Sequence, residues 1–167
     1  MTPLTSGVAQ TQRIYDYEEA VIKELELQGL AITLSLEEIK ELADRISRDC
    51  RIDDIRVFDG RGQSVGSGGY EKETVVLENG NVMVDCYLFI RLPKRFRNIV
   101  DAIHEITHCI VMCRRHRHKF NSHLALEDHD AVFLKLFLRL LRKYVKLPKG
   151  FGKRWFKVEA EKYGLEW

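Results

Sequence analysis

The chain has 167 residues, of which 45% are hydrophobic and 31% charged, and a formal net charge of +2. That length suits one domain with its own core, and that balance argues against both a disordered chain and a membrane-embedded one. The small net charge conceals an asymmetry, because residues 1–90 hold 9 Lys/Arg against 17 Asp/Glu while residues 91–157 hold 17 against 5. The basic half is a candidate surface for nucleic acid or acidic substrates, although long basic helices are also commonly just solvated faces.

Residues 1–12 are polar and read as a flexible tail, with no apolar run of the kind an export signal needs. A cytoplasmic location is therefore expected, with no membrane partner and with Cys50, Cys86, Cys109 and Cys113 as reduced thiols. Residues 13–167 read as a single domain without an internal boundary. Tyr15 to Gln28 has the pattern of a charged amphipathic helix that stops at Gly29. Ser35-Leu36-Glu37-Glu38 is a capping box, and Leu36, Ile39, Leu42, Ala43 and Ile46 then recur at helical spacing to about Cys50.

Between Ile52 and Ile90 the pattern changes to short β-branched runs separated by glycines, which predicts a sheet of three to four strands. Asn79-Gly80 lies between two such runs and predicts a tight hairpin, both residues tolerating positive φ. The glycines of Gly66-Ser67-Gly68-Gly69 lack the spacing of a phosphate or dinucleotide loop and read as a turn or a strand in close backbone approach. Helical period returns from Phe96 to about Cys113, again from Asp128 to about Tyr144, and near Trp155 to Tyr163. The fold class is α+β.

His104-Glu105-Ile106-Thr107-His108 falls on the first of these late helices. Histidines at i and i+4 leave a helix from nearly the same angle, so two imidazoles can bind one metal while the intervening Glu faces a metal-activated water. Phe96, Ile99, Val100, Ile103, Ile110 and Val111 form an apolar stripe that buries the helix and leaves the histidines at its shoulder. The bland reading is a surface helix with two solvated histidines. A catalytic zinc takes three protein ligands, and the further candidates are His116, His118, His123, Glu127, Asp128 and His129. His116 and His118 sit in a strongly basic run that reads as a solvated loop. His129 shares helical spacing with Phe133, Leu136 and Leu140 and is favoured; Glu127 is the alternative, with Asp128 as the expected helix cap.

Together, His104-Glu105-Ile106-Thr107-His108, His129-Asp130-Ala131-Val132-Phe133 and the helix from Leu136 to Tyr144 resemble the SprT-like and related minimal zincin metallopeptidases, including stand-alone phage and bacterial forms. These pair His-Glu-x-x-His with a downstream His-Gly-x-x-Phe after a small sheet. The resemblance implies a small zincin-like domain, zinc (Zn2+) bound by His104, His108 and His129, and Glu105 as general base. Asp130 stands where the family has Gly, and no Cys-rich zinc ribbon follows.

The function implied is hydrolysis of protein or peptide substrates by a metal-activated water. A partner for each ligand's second ring nitrogen is expected, Asp101 being one candidate, and Tyr144, His123 or an arginine is open as the oxyanion stabiliser. Two other readings compete. One is a nucleic-acid-associated binding protein with Cys109, Cys113, His116 and His118 around a structural zinc; the other is a zincin fold whose site is catalytically silent.

Overall fold

The computed structural model describes residues 5–118 and 129–165. Among these, five helices and three strands occur in the order α1 (Thr5–Leu27), α2 (Leu36–Cys50), β1 (Ile55–Asp59), β2 (Ser67–Val76), β3 (Val82–Leu92), α3 (Ile99–His118), α4 (Ala131–Tyr144) and α5 (Lys153–Lys162). The architecture is α+β. No described helix is long and apolar enough to cross a membrane. The chain divides into two compact units, residues 33–122 and the pairing of residues 1–32 with 123–167.

In the first unit α2 begins at the capping box: the Ser35 N–H donates to Glu38 Oε2 at 2.7 Å, and the Glu38 N–H donates to Ser35 Oγ at 3.2 Å. The Ser35 N–H and, at 2.8 Å, the Ser35 hydroxyl donate to the Glu38 carboxylate and hold it below its ordinary pKa. Ile39, Leu42, Ala43 and Ile46 are buried along one face of α2. The sheet runs β1-β3-β2, with β1 parallel and β2 antiparallel to β3. Leu88, Ile90 and Leu92 of β3 and Ile55 of β1 are buried. The other face is polar and aromatic: Arg91 lies over the rings of Phe58 and Phe89 and pairs with Glu71 at 2.6 Å. Beyond β1 the β2–β3 ribbon continues alone and exposes Val76, Val82, Met83 and Val84.

The connection of β2 to β3 contains Asn79-Gly80 and joins two adjacent antiparallel strands. It runs from Leu77 to Asn81, with the Gly80 N–H donating to the Leu77 carbonyl at 2.8 Å and positive φ at Gly80 but not at Asn79. The reason is register. The observed pairing sets Leu88 opposite Tyr70 and Ile90 opposite Gly68. A turn made of Asn79-Gly80 alone would slip it by one residue and bring Glu71 onto the face of Leu88, where burial forbids it. α3 starts later than the period suggested. Phe96 lies in a 3-10 turn, and Asn98 Oδ1 caps the helix by accepting from Val100 and Asp101 N–H, both at 2.9 Å.

The second unit contains α1, α4 and α5. α1 begins ten residues before the expected start at Tyr15 and takes in most of the stretch read as a tail, since extending a formed helix costs far less than nucleating one. It ends as expected, at Gly29 with φ 67°. Ile14, Tyr17, Val21 and Leu25 form its buried stripe, and α4 buries Phe133, Leu134, Leu136, Phe137, Leu138, Leu140 and Leu141. The Tyr17 hydroxyl donates to the Phe156 carbonyl at 2.9 Å, which ties α1 to α5. Burial pushes the Tyr17 phenol well above its ordinary pKa.

Candidate metal centre

One turn of α3 separates His104 from His108, so both side chains leave the same face of the helix. Their Nε2 atoms stand 3.2 Å apart and their rings meet edge to face. Two imidazole nitrogens at about 2.0–2.1 Å from one tetrahedral zinc would be separated by about 3.3 Å. The pair thus already has the spacing of two adjacent tetrahedral ligands. The same spacing lets one neutral ring donate to the other. Between the two histidines, Ile106 and Thr107 are fully buried and seat the helix, the Thr107 hydroxyl donating to the Ile103 carbonyl at 2.7 Å.

Glu105 is 9% exposed, and β2 crosses α3 directly over it. A Cβ on residue 68 would stand 2.4 Å from the Glu105 carbonyl oxygen, and one on residue 66 would stand 2.8 Å from Glu105 Oε1. Neither distance is tolerated by packed atoms, so the glycines read from sequence as a close approach are that approach. Their partner is Glu105 of the motif itself, through its carboxylate at Gly66 and its backbone carbonyl at Gly68. Sequence alone did not indicate which element they meet.

Several other candidates fall out differently from their sequence reading. α3 continues to His118, so His116 and His118 are helical and not in a loop; arginines are good helix formers and suit the negative end of the helix dipole. Asp101 Oδ2 accepts from Asn98 Nδ2 at 2.7 Å, within the helix cap. The Cys109 thiol donates to the Phe89 carbonyl at 3.1 Å, and burial pushes its pKa up to about 12. A structural zinc would need that sulfur as a thiolate. His123, Glu127 and Asp128 lie outside the described residues.

The cap of α4 is Asp130 and not Asp128: its Oδ1 accepts from the Val132 and Phe133 N–H groups, both at 2.9 Å. This explains why an acidic residue stands at that position. His129 consequently precedes the helix instead of lying in its first turn. The ring is 6% exposed and lies between two aromatic faces, Tyr15 at 4.3 Å and Phe133 at 4.4 Å between centroids, each within 22° of parallel. Its Nδ1 stands 2.6 Å from Oε2 of Glu18, a residue of α1 that is 3% exposed. An ionised carboxylate only accepts, so in a neutral ring bonded to it Nδ1 would carry the proton and Nε2 the lone pair.

Glu18 was missed in the sequence. The signal was present, since it sits at i+4 from Ile14 and i−3 from Val21, a carboxylate inside an apolar stripe. Tyr144 adds no oxyanion assignment; its ring lies 5.3 Å from the Lys143 ammonium. His104 and His108 belong to the first unit and His129 to the second. Imidazole nitrogens suit zinc, copper, iron and nickel. No family model matches the chain, and comparison with curated proteins and with solved structures gave no match.

Proposed function

We propose that the chain is a zinc-dependent peptidase in which His104, His108 and His129 hold the metal and Glu105 is the general base. The observation that carries this reading is the 3.2 Å separation of the His104 and His108 Nε2 atoms on one helix face. Glu105 on the same turn supplies a carboxylate that a structural metal site has no chemical use for. The resemblance of the two motifs to SprT-like metallopeptidases points to the same chemistry.

A zinc ion held there would polarise a peptide carbonyl and bring the pKa of water toward neutrality. Glu105 takes the water proton and delivers it to the leaving amine. The crossing of β2 at Gly66 and Gly68 confines the Glu105 backbone and side chain, which limits where its carboxylate can point. β2 is also an outer strand of the sheet. A peptide added to its open edge through main-chain hydrogen bonds would be held by the strand that packs on the general base.

The test compares the wild type with Glu105→Gln, measuring bound zinc by elemental analysis and cleavage of an unfolded protein. Glu105→Gln should retain the metal and lose about 10²- to 10⁴-fold in turnover. Equal turnover in the two proteins sinks the general base, and a wild type that binds no zinc sinks the metal centre.

A further inference from the structure

We propose that Glu18 of α1 is the positioning residue that fixes His129 with its proton on Nδ1 and its lone pair on Nε2. The inference rests on the reading of His129 as the third ligand. Its physical basis lies within the unit formed by α1, α4 and α5.

A carboxylate buried in an apolar stripe is costly unless it is bonded, and packing alone at position 18 would be met by leucine or methionine. Glu18 is 3% exposed and its Oε2 lies 2.6 Å from His129 Nδ1. That distance lies at the short end for an N–H donor, the side on which charge-assisted bonds fall. Tyr15 and Phe133 then cover both faces of the imidazole at 4.3 and 4.4 Å. A flip about the Cβ–Cγ bond would sweep the ring through those faces, so the nitrogen that meets Glu18 stays the same one. With Nδ1 bonded to Glu18, Nε2 is the nitrogen through which the ring would bind a cation. Ligand orientation at the third position is thus set by an element more than a hundred residues earlier in the chain.

The experiment measures zinc affinity by competition with a chromophoric chelator for the wild type, Glu18→Gln, Glu18→Ala and His129→Ala. Long-range 1H–15N correlation on the zinc-loaded wild type identifies the metal-bound nitrogen of His129. Glu18→Ala should weaken zinc binding by about 10- to 100-fold. Glu18→Gln, which keeps a neutral acceptor of the same size, should fall between it and the wild type, with the metal on Nε2 and the proton on Nδ1. Wild-type affinity in Glu18→Ala alongside a loss in His129→Ala overturns the role of Glu18 alone, as does metal on Nδ1. Unchanged affinity in His129→Ala overturns the ligand assignment and this inference with it. Should Glu18→Ala fail to fold, Glu18→Gln and the nitrogen assignment in the wild type still decide the matter.

Discussion

On α3 the pair His104 and His108 needs nothing beyond the helix, because one turn of backbone brings their Nε2 atoms to 3.2 Å. Ahead of α4, His129 has no helix of its own and is held by Glu18 and Tyr15 of α1 and by Phe133. Local geometry places the first two; tertiary packing places the third. Under the proposed ligand set, substitutions in the two places should act in two ways. Changes on α3 should act on the metal without disturbing the fold, whereas changes around His129 should couple metal binding to the stability of its own unit.

The largest effect is expected at His104. Its side chain is half-buried and the helix beneath is seated by Ile106 and Thr107, so His104→Ala should leave helix content unchanged by circular dichroism. Zinc affinity should fall by more than the roughly 100-fold that bounds the loss of an outer hydrogen-bond partner. Unfolding of this variant would break the contrast.

A smaller effect tests the crossing that confines Glu105. Gly68→Ala drives a Cβ against backbone, the Glu105 carbonyl oxygen at 2.4 Å, and should lower the stability measured by urea unfolding by about 1–3 kcal/mol. Gly66→Ala instead meets the movable end of the Glu105 side chain, so it should leave stability closer to wild type and lower kcat. Equal unfolding midpoints for the two variants would remove the backbone contact as the cause.

The smallest effect sharpens the other side of the comparison. Asp130→Ala removes the acceptor of two helix N–H groups next to His129 and should cost about 1 kcal/mol, read as a shift of the urea midpoint. An unchanged midpoint would mean that the start of α4 is held by packing and not by its cap.

Much of the first unit was legible in the sequence. The capping box of α2, the apolar stripe of α3 and the His-Glu-x-x-His pair follow from spacing along one element, and helical spacing is a short-range property that residues four apart carry by themselves. The glycines around β2 announced a close approach without saying to what. The start of α4 was misplaced because Asp128 and Asp130 are equally good caps by composition.

By itself, then, the sequence determined the elements whose geometry is local: the histidine pair, the helix faces and the alternation of the strands. Tertiary structure decided the rest. It set the β2–β3 register, because a one-residue slip would bring Glu71 onto the buried face of Leu88 and Ile90. It also chose Glu18 as the partner of His129, since a buried carboxylate is stable only where folding brings a donor to it, and that donor lies 111 residues away in the chain.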